Sequence, residues 1–315
     1  MSDNDFEKGE FDLLRLVPQI LRARDFRLYM ADGRRLVDLW LNGGAAVLGH
    51  TPPSVLREIK NTASRGLYAP FPHFAEQRFI KALSRLLPGR KFKIYAAPPA
   101  EITQAAGITR NGKIALWRPY LDAPPDGQDG QSEQSGESSA SAAGNSRKTP
   151  PLVIPVLPGI QGWRNGLPLG LCVCAFLPEA ESELSRILPP GDFLSPVLLT
   201  AATRGIWDII AAKPERANVR YLRVDKALKD SCWRRQGIYL FSRNVSGAET
   251  QAAESAPANN GDHAVREVWD ALFRRFLEAG FLLPPVPEHP LILPGVLSPG
   301  EEAKLAEVVR ADISG

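Results

Sequence analysis

Residues 123 to 150, APPDGQDGQSEQSGESSASAAGNSRKTP, break an otherwise ordinary alternation of apolar and polar segments with a run of Ser, Gly and Gln. Such a stretch has too few apolar side chains to offset the entropy of ordering its backbone, and it reads as a flexible tether. A second stretch of this kind covers residues 246 to 264. Any fold must therefore be built from three blocks of chain joined by two linkers. Hydrophobic residues make up 44% of the 315, enough for a sizeable core in the remaining blocks. That size suits one large α/β domain, or a large domain with a small one.

Charge and the length of the apolar runs each remove one class of partner. With 38 basic against 35 acidic side chains, the net charge is +3, and the two signs are interspersed, which disfavours a nucleic-acid surface. No uninterrupted apolar stretch is long enough to cross a bilayer, so no membrane is expected. The first residues, MSDNDFEKGE, are acidic where a secretory signal is basic and then apolar, so the expected location is cytoplasmic. Three cysteines, Cys172, Cys174 and Cys232, make neither a disulfide framework nor a zinc site, and they read as core residues.

Local patterns order the rest. An amphipathic helix is expected over about residues 10 to 23. FRLYM and RRLVDLWL flank Ala31-Asp32-Gly33, and an Asp-Gly pair between β-prone runs predicts a hairpin. Thr51-Pro52 predicts a helix start that runs to about Arg65. Phe79, Ile80, Leu83, Leu86 and Leu87 share one helical face before Pro88-Gly89. Strands are expected at KFKIYAA, KIALW, LVIPVL, PLGLCVCAF and IYLFSRN. Helices are expected at about 100 to 110, 196 to 213, 216 to 235 and from 265, the last carrying a stripe of Val265, Val268, Trp269, Leu272, Phe273, Phe276 and Leu277. FLL and LIL are short strands, and Ser298-Pro299-Gly300-Glu301 opens a final helix as a capping box.

Together these pieces resemble the class III aminotransferases, the ornithine aminotransferase and glutamate-1-semialdehyde aminomutase group of pyridoxal-phosphate enzymes. In LYMADGRRLVDLWLNGGAAVLGHTPPSVLREIK, residues Asp32, Gly33, Asp38, Gly44, Gly49, His50 and Pro53 hold the places of the family's N-terminal hairpin and "L-G-H-x-x-P" pattern. ALSRLLPG, NGLPLGLCVC, DFLSPVLLTAATRGIWDII and GFLLPPVPEHPLILPGVLSPGEEAKLAEVV continue the match. The resemblance implies a fold-type I transferase: a mostly parallel central sheet flanked by helices, with a smaller α+β domain made from both chain ends. It implies residues 1-66 as the N-terminal part of that small domain, 67-245 as the large domain with linker 123-150 inside it, and 265-315 as the C-terminal part after linker 246-264. Family members are longer, and the missing length falls at the first linker.

The family's catalysis requires four features. The Schiff-base lysine stands five residues before the Gly of "G-x-P-x-G"; here that tail is Gly166 to Gly170, and counting back reaches Gln161, a carboxamide that cannot condense with an aldehyde. The phosphate cradle "S-G-x-E-A" falls on Pro98, Pro99, Ala100 and Glu101, where two prolines remove two N–H donors. The pyridine aspartate has no counterpart between Pro151 and Pro178, with Pro155 near its place. The partner-subunit threonine falls in a segment holding Asp192, which would repel a phosphate, and the substrate arginine falls at Leu291. Lys213, Lys226, Lys229 and Lys304 lie on helices with polar neighbours and read as solvated.

The leading expectation is thus a pseudoenzyme: an aminotransferase-like protein with no catalytic residues and no predicted cofactor, serving as a binding, scaffold or regulatory subunit. A homodimer, or a heterodimer with an active paralogue, is expected from the family's shared site. The alternative is an active pyridoxal-phosphate aminotransferase or aminomutase with a displaced lysine. A third reading uses the vacated cleft for new chemistry, with His50, His73, Asp38 or Glu101 as acid-base groups.

Overall fold

The computed structural model describes residues 12–102, 114–121, 150–159, 162–164, 166–217, 219–229, 231–242 and 261–311. Gln161 and most of both linkers lie outside these residues.

The N-terminal hairpin forms as its Asp-Gly turn predicts. Strands β2 (Arg27–Met30) and β3 (Arg35–Asp38) pair antiparallel with Leu28 opposite Leu36, and β1 (Ile20–Arg24) adds to β2. The expected helix over 10 to 23 is not there. A single 3₁₀ turn, Leu13–Leu16, is followed by β1. Pro18 supplies no amide hydrogen and disfavours helical geometry at Val17, whose ψ is 127°. The next two helices follow the sequence pattern: α1 (Pro53–Ala63) and α2 (Ala75–Leu86), with Phe79 and Leu83 fully buried. Pro52, and not Thr51, is the residue that precedes the first turn of α1, and no side chain caps it.

The central sheet runs in the order β4 (Lys91–Tyr95), β9 (Cys172–Phe176), β6 (Leu152–Pro155), β5 (Ile114–Trp117). β5 and β6 are parallel, and β9 is antiparallel to both β4 and β6, so three of the four strands share a direction. The connection from β6 to the reversed β9 holds a short antiparallel hairpin, β7 (Gly162–Arg164) and β8 (Leu167–Leu169), among its described residues. All five residues of β9 are buried, as its apolar run predicts; Cys172 and Cys174 belong to that core, and all three cysteines are free. After the short α3 (Glu181–Ile187), the long α4 (Pro196–Ala217) lies across α1 and α2. Thr62 meets Thr200 at 3.0 Å and Ser54 bonds Asp208, so α1 and α4 are antiparallel. Gly205 permits the close approach of α4 to the end of β6: a Cβ there would lie 2.9 Å from the Pro158 ring.

The expected helix over 216 to 235 is shorter. It ends as α5 (Leu222–Leu228), and Trp233–Gln236 instead forms β10, paired with β11 (Tyr239–Ser242) around a turn at Gly237. Helix α6 (Gly261–Glu278) buries Trp269, Leu272, Phe273 and Phe276 of the predicted stripe and leaves Val265, Val268 and Leu277 half-buried. β12 (Phe281–Leu282) pairs parallel with β3, which joins the two chain ends in one sheet, and β13 (Leu291–Ile292) pairs with β11. The last helix, α7 (Pro299–Arg310), has the complete capping box: Glu301 N–H donates to Ser298 Oγ at 3.2 Å and Ser298 N–H to Glu301 Oε2 at 2.8 Å.

Two main cores result. One lies between the central sheet and helices α2 and α4; the other gathers residues drawn from 13 to 39, 221 to 240 and 269 to 309 around Trp233, Trp269 and Phe276. The segment from Leu39 to His50 runs between them. No described helix is long and apolar enough to cross a membrane.

Candidate functional site

The segment after β3 carries the greatest backbone constraint. Leu41 and Asn42 both have left-handed backbones, with φ of 48° and 50°, and Gly43 follows at 64°. A side chain in this region costs about 1 to 2 kcal/mol, so surrounding contacts must hold it. Asp38 is the first of these. Its carboxylate is buried and accepts the amides of Trp40 and Leu41, both at 2.8 Å, on one oxygen; His50 Nε2 lies 2.9 Å from the other.

Two of the four acid-base candidates are thereby brought together. The Asp38–His50 pair borders a cavity of about 390 Å³ walled mainly by Leu14, Val17, Leu28, Trp40 and Leu282. Its described lining is mostly apolar, with Gln19 and Asn42 as further polar members beside the pair. The other two candidates stand elsewhere. His73 Nδ1 accepts the Ala75 amide at 3.1 Å as a local turn bond, and Glu101 is exposed at the start of a helical turn.

The positions drawn from the family resemblance have local roles. Pro98 and Pro99 lead into the turn at Ala100, and Ile102 N–H donates to the Pro99 carbonyl at 2.9 Å. Asp192 Oδ2 accepts the Ala96 amide at 2.9 Å while Asp192 N–H donates to Ile94 O at 2.8 Å, which staples this loop to the end of β4. Leu291 is fully buried in β13, and Pro155 ends β6 opposite Trp117. Lys213, Lys226, Lys229 and Lys304 are all exposed.

The sequence reading missed the polar cluster in the interior. Arg118 follows β5 directly and is 5% exposed; its Nη1 donates to the Gly43 carbonyl at 2.8 Å. Burial pushes its guanidinium pKa down, and Tyr239 offsets this in part. Trp163, on β7 just beyond Gln161, donates its indole N–H to the Asn42 carbonyl at 2.8 Å and packs so closely on Gly43 that a Cβ there would lie 2.3 Å from the ring. The Trp163 ring meets the edge of His289 at 4.7 Å between centroids and 77° between planes. His289 is 3% exposed, and neither ring nitrogen has a hydrogen-bond partner among the described residues. Burial, with the nearby Arg118 charge as the second cause, pushes its pKa down to about 3, so it is neutral. The one available sequence signal was an arginine placed at the end of an apolar strand and ahead of a proline.

Comparison with known proteins begins from a negative: no family model matches the chain. The chain is similar to the ornithine delta-aminotransferase structure of Plasmodium falciparum, with a TM-score of 0.56 over 98% of each chain at 13% identity. The fold is that of the pyridoxal-phosphate-dependent transferases. The resemblance to class III aminotransferases is thus shown at the level of the fold. In sequence, an 88-residue stretch is 32% identical to glutamate-1-semialdehyde 2,1-aminomutase 2 of Lysinibacillus sphaericus, covering 26% of this chain and 20% of that enzyme. An uncharacterized protein of Treponema pallidum is 24% identical over 91% of this chain and 92% of its own length. That similarity spans nearly the whole of both chains, whereas the aminomutase match is confined to a part.

Proposed function

We propose that this chain is a catalytically silent protein on the aminotransferase fold, kept as a binding, scaffold or regulatory subunit, and that it pairs with itself or with an active paralogue. The observation that carries this reading is the content of the interior beyond β5 and β6: an indole, a guanidinium and an imidazole among carbonyls, with no described lysine buried beside them. Schiff-base chemistry needs an amine that can lose its proton beside the aldehyde. No described lysine is buried, and the least exposed of them, Lys93, gives its ammonium to the Leu188 and Pro189 carbonyls at 2.9 and 3.3 Å.

The described residues also do not fit the phosphate of pyridoxal phosphate. Pro98 and Pro99 have no N–H, and the Ala96 amide, two residues before Pro98, is already taken by the Asp192 carboxylate, whose charge opposes a phosphate. Pairing with another subunit is supported by a run of exposed aromatic residues, Tyr68, Phe71 and Phe74.

Spectral titration with pyridoxal phosphate, followed by borohydride and combined with the mass in solution, tests the reading. The expected result is a colourless protein, with no adduct fixed by borohydride and a mass above that of one chain, alone or with the paralogue. A yellow protein with a borohydride-fixed lysine adduct would overturn it.

A further inference from the structure

Several buried arginines in this fold act as clamps on carbonyl groups. Arg90 holds the Ala175 and Pro150 carbonyls at 3.1 and 3.0 Å, and Arg216 holds the Val47 carbonyl at 2.7 Å with its guanidinium over the Phe26 ring. Arg118 shares that role toward Gly43, but its surroundings add a second polar group with nothing to bind. Among the described residues no carboxylate pairs with Arg118, and one carbonyl is its acceptor. A guanidinium has five N–H donors in a fixed fork, so most remain uncommitted.

His289 supplies the independent observation. A neutral imidazole offers one donor and one acceptor, and leaving each buried without a partner costs about 1 to 3 kcal/mol. An imidazole kept in the interior for packing alone would be replaced by an apolar ring without that cost. His289 is joined to Arg118 through two contacts: Trp163 packs on both His289 and Gly43, and Gly43 is the residue Arg118 holds. A buried cation without a counter-charge, next to an imidazole free to donate, has the chemistry of an anion site.

We infer that Arg118 and His289 form an interior site for a small carboxylate, with the guanidinium supplying charge and planar donors and the imidazole a ring N–H. Trp163 forms one wall. The site uses none of the residues matched to the family's cofactor machinery, and it goes beyond the proposed function: colour with pyridoxal phosphate bears on that reading and leaves this one untouched.

Formate is the probe. The full-length protein is titrated with sodium formate against sodium chloride at constant ionic strength, with thermal unfolding as the readout. A carboxylate that binds the folded state should raise Tm in a saturable manner in formate and not in chloride. His289→Leu keeps the Arg118–Gly43 clamp and should lose the formate response. A response of equal size in formate and chloride, no response, or an undiminished response in His289→Leu would overturn the assignment. A readout that needs no folded His289 variant is the indole N–H resonance of Trp163, assigned with Trp163→Phe. It should shift with formate and saturate over the same range as Tm; a resonance unmoved by formate would also overturn the site.

Discussion

At Gly43 three constraints meet in one residue: a left-handed backbone, a carbonyl held by Arg118 and a face covered by Trp163. Gly43→Ala should destabilise the protein by about 1 to 3 kcal/mol through overpacking, with a further cost from its positive φ. Adding Trp163→Leu should recover the overpacking part alone, so a double-mutant cycle in urea should give a coupling of about 0.5 to 3 kcal/mol. His289 yields a pH prediction whose sign follows from its neutral burial. Its pKa is about 3 folded against 6.5 as the ordinary value, so between these the unfolded chain binds the proton and the folded chain does not. Stability should therefore be intact above pH 6.5 and fall as the pH drops toward 3, by about 1.4 kcal/mol per unit from this group. In formate-free buffer, urea midpoints across pH 6.5 to 5 should slope in the wild type and flatten in His289→Leu. Asp38 and His50 were legible in the sequence as polar residues within a recognisable pattern, and they do pair. Arg118, Trp163 and His289 were not, because they are far apart in the chain and their burial arises only when β5, β7 and the β12–β13 connection pack together.

Among the elements, the capping box of α7 also ties the two chain ends together. Glu301 accepts Arg27 of β2 through two bonds at 2.9 and 2.6 Å while it caps its own helix. The Arg27 hydrogen bond, ahead of the Ser298 amide, pulls the Glu301 pKa down to about 2 from 4.5. A depressed carboxylate pKa gives stability that is present above pH 4.5 and lost as the pH falls through about 2. Glu301→Gln should cost about 1.5 to 3 kcal/mol at neutral pH, and the difference from wild type should shrink as both are acidified below pH 4.5, read from denaturant midpoints. This element was legible because a capping box depends on residues three apart. Elements decided by pairing at a distance were not. The N-terminal apolar stretch satisfied a helical period, but β2 offers it an edge and Pro18 breaks the helix. The run from 216 to 235 likewise looked helical, but Trp233–Gln236 finds hydrogen bonds on β11 that its own sequence does not reveal.

For the whole molecule, the parallel β5–β6 pair determines what the first linker must do. Parallel neighbours need a crossover from the end of one strand back to the start of the next, and a connection of about a dozen residues is sufficient. The chain provides more than this between Leu121 and Pro150, in a composition with little to pack. The fold class was legible in advance because the alternation of short apolar strands and amphipathic helices survives this interruption, and the sheet order assembles from both sides of it. If the segment only closes a loop, its length enters stability through chain entropy, about 0.6 kcal/mol for each twofold change. Replacing residues 125 to 147 with a Gly-Ser linker of half that length should therefore leave the urea midpoint within the change expected for about 0.6 kcal/mol, and the m-value unaltered. A larger loss of stability, with a smaller m-value, would mean that these residues bury surface against the fold, and the linker would have to be counted as part of the domain.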